Sequence, residues 1–350
     1  MPASSLKSPP AKARCQPEAK LDEQDAAMAT YTQAIAAFAH VLRITPDSID
    51  ALNNTGSVLD SRAELEFARE EFDRCRATIA QALTSFDQAL ALAPDDVEVH
   101  YNRANALTTR GELEAHLDQT DRARATYTAA VACYDRALAH APDELFNHYD
   151  RARAFLERGK LEVQQDDVKN GWQSLDQAVA GFRRASTLAP DYLDAIFNEG
   201  LALIERADAE EQLEKPDPAA SYARALACVD RVLKLDPEHA DAHLLRGYVL
   251  IGIADLKVEQ GDAARALREF DAALIALKNA FGLDPDNADT PIRMGYVLKN
   301  RGQLLAEQGK PKQALASYEE AINAFDQALA HVAQMVVNNK CTKAQKHGVY

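Results

Sequence analysis

PDDVEVHYNRANAL, residues 94–107, has gapless counterparts in PDSIDALNNTGSVL at 46–59 and PDYLDAIFNEGLAL at 190–203. Six prolines, at 46, 94, 142, 190, 237 and 285, open such stretches and divide the chain into units of 48, 48, 48, 47 and 48 residues. A fixed period of this size marks an array of stacked supersecondary units, each of which buries its apolar face only against its neighbours. The 350 residues are therefore read as one array and not as two globular domains.

Counting from each proline, offset ten is Gly56, Ala104, Ala152, Gly200, Gly247 and Gly295, always small. Offset thirteen is Leu59, Leu107, Phe155, Leu203, Leu250 and Leu298, always large and apolar. Such three- and four-residue spacing is helical, and the small position lets a second helix come close. Ahead of the next proline, Ala82, Ala130, Ala178, Ala225 and Ala273 alternate with Phe86, Tyr134, Phe182, Val229 and Leu277, and then with Ala89, Ala137, Ala185, Val232 and Ala280. That is the packing face of the second helix. Each unit is thus a helical hairpin. Its middle turn is expected at Asp73, Asp121, Lys215-Pro216-Asp217, Gly261-Asp262 and Gly309-Lys310-Pro311, where Asp caps the next helix and Gly or Pro ends the last. Between units the anchor proline and the acid after it are expected to start the next helix.

The pattern resembles the tetratricopeptide repeat family over roughly residues 22–332, most clearly in KQALASYEEAINAFDQALA at 312–330. The family's common period is about 34 residues, and this chain adds 14 to reach 48. Seven residues per helix is about two turns, so the inward face stays inward and helices of ~20–23 residues are expected. The resemblance implies an all-α, right-handed superhelical solenoid of about six and a half repeats. A lone second helix over 22–43 precedes six hairpins. Residues 1–21, polar and proline-bearing, read as a disordered tail, and 333–350 as a cap extension and loose tail. In the sixth unit Pro291 predicts a late helix start, with Thr290 as its cap.

The composition limits the function. Net charge is −15, from 39 basic against 54 acidic residues, which argues against a nucleic-acid surface. No run reaches the ~20 apolar residues of a membrane span, and the N-terminus lacks the core of a signal peptide. Five scattered cysteines read as free thiols in a reducing compartment, so the expected location is the cytoplasm. No phosphate loop and no His-Glu-x-x-His motif occurs. His239 and His243 have i,i+4 spacing, yet His100, His148 and His243 share offset six with Leu52 and Ile196 and read as packing residues. No catalytic, metal or cofactor site is expected. Arg62, Arg110, Arg158, Arg206 and Arg301 recur at offset sixteen, the first four with Glu66, Glu114, Glu162 and Glu210 four residues on. These read as a solvated lattice of helical ion pairs, or alternatively as a row that grips a ligand.

The resemblance also implies that the first helices line an inner groove. Carried over by position, the groove holds Asn54, Asn102, Asn198 and Arg293 at offset eight, Tyr101, Tyr149 and Phe197 at offset seven, and Asn105, Arg153, Tyr248 and Tyr296 at offset eleven. Asparagine amides offer both donor and acceptor to an extended main chain, or bond a neighbouring carbonyl. Tyrosines add apolar area with a hydroxyl, or pack between repeats. The lysines of the family's carboxylate clamp are absent from these positions. Asp50, Glu98, Asp194, Asp241 and Asp289 at offset four favour a neutral or basic guest. The expectation is a protein-interaction adaptor, with self-association or a non-catalytic regulatory subunit as the alternatives. Trp172 is expected to cover the end of its hairpin.

Overall fold

A computed structural model describes residues 17–213 and 218–346, with side chains over 23–213 and 218–333. Among the described residues there are thirteen helices and no strand: α1 (Pro17–Ile44), α2 (Ile49–Ala68), α3 (Phe72–Leu92), α4 (Val97–His116), α5 (Thr120–His140), α6 (Leu145–Gln164), α7 (Val168–Leu188), α8 (Leu193–Glu210), α9 (Pro218–Leu235), α10 (Ala240–Glu259), α11 (Ala263–Leu283), α12 (Asp289–Glu307) and α13 (Pro311–Lys346). The chain is an all-α helical-repeat array. The expected Lys215-Pro216-Asp217 turn and most of the expected N-terminal tail lie outside the described residues. The chain divides into two compact units, Met1–Asn147 and His148–Tyr350.

In the first unit, Leu52, Leu59, Phe86, Ala89, Val99 and Ala106 form a core that Ile35 and Leu42 of α1 close from one side. A second cluster of Ala63, Cys75, Ile79 and Leu113 continues it along the hairpins. In the second unit the corresponding core runs from Leu250 and Ala254 through Phe270 and Leu277 to Val297, Leu298 and Leu304.

The small positions work as the sequence suggests. A Cβ on Gly56 would lie 2.5 Å from the Phe86 ring, one on Gly247 2.6 Å from Leu277, and one on Gly295 2.6 Å from Phe325. A second small–large contact, missed in the sequence, lies two turns further along three of the first helices: Gly111 against Tyr127 at 2.7 Å, Gly159 against Leu175 at 2.8 Å and Gly302 against Tyr318 at 2.9 Å. The α12–α13 hairpin has both contacts, at Gly295 and Gly302.

Two of the turns correct the sequence expectation, while Asp262 caps α11 as expected and accepts from Arg265 N at 3.1 Å. Asp73 and Asp121 lie inside the first turns of α3 and α5, and the caps are Glu71 and Gln119. The first helices end in left-handed residues at a constant interval: Glu70 (φ 60), Asp118 (φ 55), Asp166 (φ 60), Gly261 (φ 73) and Gly309 (φ 72). At each, the next amide reaches back five residues, as Glu71 N to Glu66 O at 2.9 Å and Lys310 N to Leu305 O at 2.9 Å. The left-handed residue itself bonds three back, as Glu70 N to Phe67 O at 2.9 Å. This paired closure satisfies carbonyls that the helix end would orphan. Glycine marks it in only two of the five turns, so composition hid the other three.

Between units the acid after the proline stays in the turn, and capping falls to the next residue. Ser48 accepts from Ala51 N at 3.3 Å and Asp96 from Val99 N at 3.0 Å. In the sixth unit Asn287 Oδ1 accepts from Asp289 N at 3.0 Å and Thr290 N at 3.3 Å, so it and not Thr290 does the capping. α12 starts at Asp289, and Pro291 occupies its third position, where no intrahelical donor is needed.

Candidate functional site: the faces of the first helices

The carboxylates of the Arg–Glu row are buried, which corrects the expected solvated lattice, while Arg62 and Arg110 stay 30% and 46% exposed. Glu66 is 0% exposed and Glu114, Glu162 and Glu210 are 6–7%. Arg110 Nε donates to Glu114 at 2.8 Å, and the Thr126 hydroxyl of the paired helix donates to the other carboxylate oxygen at 2.6 Å. In the next hairpin Arg158 and Glu162 meet at Ser174. In the one after, Ser221 donates to Glu210 at 2.6 Å and accepts from Arg206 at 2.9 Å. Burial of carboxylates is tolerated because each is paired and hydrogen-bonded. Trp172 extends this lattice, its indole N–H donating to Glu210 at 3.0 Å. The arginines are committed to structure.

Among the asparagines, the fate of each depends on its face. Asn54 donates to Asp50 O at 2.8 Å, four residues back on its own helix. Asn198 does the same to Asp194 O at 2.8 Å and also reaches the Tyr149 hydroxyl at 3.1 Å. Asn102 donates to Asn53 Oδ1 at 3.0 Å, and the buried Asn53 donates to Glu98 at 3.0 Å. That chain ties α2 to α4. Asn105 accepts the hydroxyl of fully buried Tyr134 at 2.6 Å, and Tyr101 lies 6.1 Å from the same ring, centroid to centroid. An amide has two donors and two acceptor sites, so Asn54 and Asn102 keep capacity toward a guest.

In the second unit the aromatic positions gather. Tyr149 sits 5.5 Å from Phe182 and 5.2 Å from Tyr192. Burial pushes the Tyr149 phenol up, and burial with the nearby Asp194 charge takes Tyr192 up to about 12. Arg153 pairs with Asp150 at 3.4 Å. Phe197 stacks on His239 at 5.4 Å. Tyr248 donates to Asp289, while the Arg293 guanidinium lies 4.3 Å over its ring and 3.4 Å from the same carboxylate. Burial, then Asp289, takes Tyr248 up to about 12. Tyr296 donates to Asp255 at 2.9 Å.

A further row was missed in the sequence although the same counting reaches it. Offset eighteen holds Glu64, Glu112, Lys160, Asp208, Asp255 and Gln303. The Tyr222 hydroxyl lies 2.7 Å from Asp208 and 3.1 Å from Glu211. Burial raises the pKa of Asp208, Glu211 and Asp255. In the first unit Asp60 is raised to about 7, chiefly by burial and then by Glu64.

His100, His239 and His243 have structural roles. His100 Nε2 donates to Pro94 O at 2.7 Å and His243 Nε2 to Pro237 O at 3.0 Å, each locking its own anchor turn. His239 caps α10. Among the described residues no group of three or more His, Cys, Asp or Glu is placed to hold a metal ion, and no helix is long and apolar enough to cross a membrane. Cys75, Cys133 and Cys228 are free thiols, and burial takes the first and last up to about 12.

Helical hairpins repeated at a fixed interval define a helical-repeat scaffold. The chain carries tetratricopeptide repeats: models of that repeat match residues 76–126, 219–252 and 298–327. Among solved structures, it is similar to the nuclear import adaptor Nro1 of S. pombe, at 15% identity over 81% of this chain and 95% of that one, with a TM-score of 0.55. It also resembles BtubC from P. vanneervenii at 13% identity, 72% and 90% coverage and a TM-score of 0.49. YrrB, a TPR protein with an unusual peptide-binding site, matches at 19% identity, 70% and 96% coverage and a TM-score of 0.39. At these identities the likeness concerns the fold. No curated protein matches the sequence. A protein-interaction scaffold is the general role these repeats support.

Proposed function

We propose that the protein is a non-catalytic adaptor whose first-helix faces hold an extended, neutral or basic segment of a partner protein. The observation that carries this reading is the row at offset four. Asp50, Glu98, Asp194 and Asp241 are exposed, the last three on the same helices as half-buried Tyr101, Phe197 and Tyr248. Half-buried rings held by hydroxyl bonds to Asp255 and Asp289 offer apolar area at little ordering cost. The acidic rim attracts cations and repels acidic segments. Spare amide capacity at Asn54 and Asn102 suits main-chain N–H and C=O groups.

Selection from a random peptide display library tests this. Lysine- or arginine-bearing peptides should be enriched, and their fluorescence anisotropy titrations should weaken with salt. Combined Asp50→Asn, Glu98→Gln, Asp194→Asn and Asp241→Asn should lower affinity at least ~10-fold with the helical signal unchanged. Enrichment of acidic peptides, or affinity indifferent to these four changes, would overturn the reading.

A further inference from the structure

One aspartate sits where the array otherwise buries apolar groups. Asp60 lies at offset fourteen, whose other occupants are Thr108, Leu156, Ile204, Ile251 and Lys299. Thr108, Leu156, Ile204 and Ile251 are all buried, and Asp60 is 8% exposed. An aliphatic side chain therefore meets the packing needs of a first helix at this register. Asp60 Oδ1 is buried and has no hydrogen-bond partner among the described residues. A carboxylate oxygen kept from water without a donor is costly, where Leu or Ile is favourable at the same place. The repeat's own packing does not require this acid.

Two more carboxylates stand beside it. Glu64 follows Asp60 by one turn on α2 and is exposed, and Glu112 on α4 is half-buried. The Thr109 hydroxyl of α4 meets Asp60 from across the helix pair. Glu112 follows Thr109 by three residues, so it lies at the level of Glu64 on the facing helix. The charges of both glutamates reach Asp60 and raise its pKa. Thr109 is itself committed to Asn105 O, at 3.2 Å. The floor is thus a buried carboxylate short of a donor, and the mouth is a pair of acids on neighbouring helices.

A group that suits this arrangement carries positive charge, donates in several directions and reaches inward on a slim apolar stem. Lysine does all three, with a compact ammonium of three rotatable donors on a four-carbon stem. The flat guanidinium of arginine presents a fork matched to one carboxylate. A bare metal ion is not matched, since no three acids among the described residues are placed to hold one. We propose that Asp60, Glu64 and Glu112 form a pocket for one lysine side chain of the partner segment, with Asp60 as its floor. The pocket rests on the adaptor reading and adds to it the position where a basic residue is anchored. It lies ten residues beyond Asp50 on α2, ~15 Å along the helix axis.

The probe is the pentapeptide acetyl-Gly-Gly-Lys-Gly-Gly-amide, titrated into the full chain while NMR follows the amide resonances of α2 and α4. Saturable shifts around Asp60 and Glu112 are expected. The norleucine counterpart, which lacks only the ammonium, should bind at least ~10-fold more weakly. Asp60→Leu installs the side chain that Leu156 carries at this register, so the fold is kept and the lysine peptide should lose at least ~10-fold in affinity. Glu64→Gln with Glu112→Gln should do the same. Absence of saturable shifts at this place, equal binding of the norleucine peptide, or indifference to Asp60→Leu would overturn the pocket. These substitutions leave the acids at offset four untouched. Enrichment of lysine- or arginine-bearing peptides from the display library would then keep the adaptor reading while the pocket falls, whereas enrichment of acidic peptides would overturn both.

Discussion

The Thr126 hydroxyl donates to the buried carboxylate of Glu114 at 2.6 Å, across the hairpin from one helix to the other. With Arg110 on the second oxygen side, this makes a three-part polar clasp inside an otherwise apolar interface. Its recurrence at Glu162–Ser174 and Glu210–Ser221 gives the long hairpins a device for fixing their register.

Removal of the clasp's hydroxyl should be expensive for its size. Thr126→Val and Ser221→Ala each leave a buried carboxylate one partner short, at about 1–3 kcal/mol. Asp271→Asn, which touches Arg301 at 2.8 Å from a side chain 56% exposed, should cost less than about 1 kcal/mol. Urea denaturation of the three variants orders them.

Gly56→Ala should destabilise by about 1–3 kcal/mol through overpacking, since its Cβ would meet the Phe86 ring. Phe86→Leu in the same chain makes room, so the double substitution should cost less than the sum of the two. A double-mutant cycle measures that coupling.

The hairpin turns predict opposite signs for opposite changes. Glu70→Gly relieves a left-handed residue (φ 60) and Gly261→Ala creates one (φ 73). The first should stabilise and the second destabilise, each by about 1 kcal/mol. Midpoints of chemical denaturation report both.

Asn53 and Asn54 are neighbours with different stakes. Asn53→Ala removes the link between Glu98 and Asn102 and should cost about 1–2 kcal/mol. Asn54→Ala loses only an exposed bond within its own helix, and stability should move by less than about 0.5 kcal/mol. Comparing their thermal melts tests the distinction.

Asp60 gives a pH dependence with a definite sign. Its folded pKa is raised to about 7, above the ~3.9 of an unfolded aspartate. The folded state therefore holds the proton more tightly, and stability falls as pH rises through that interval. The penalty is absent below about pH 4 and complete above about pH 7, at most on the order of 4 kcal/mol. Asp60→Asn should be closer to wild type at pH 4 and more stable than it at pH 8, as followed by denaturant titration at each pH. Glu64 and Glu112, which face it and raise its pKa, and Thr109, which lowers it, set the size of the effect.

The proline interval, the Gly56–Phe86 type of contact and the succession of helical hairpins are legible in the sequence because they rest on spacing along one helix and on residue size. Both are local quantities, and repetition lets weak signals add. The inner-face positions could be counted from the same anchors, and counting two turns on from offset eleven would have reached Asp208 and Asp255. What the sequence could not supply is the partner opposite each polar group. Glu114, Glu162 and Glu210 looked like surface ion pairs because Arg at i−4 is a surface motif, yet threonine and serine on the facing helix let them be buried. Glu70, Asp118 and Asp166 close turns that glycine would advertise, because the backbone conformation there is set by the hairpin's need to reverse. Asn54 turns to its own helix while Asn53, one residue away, bridges to α4. Ile322 is 60% exposed where its counterpart Leu274 is 7% exposed, a difference of tertiary surroundings and not of residue type. The chain's period determined its architecture, and the distances across helices decided which of its polar and apolar groups remain available to a partner.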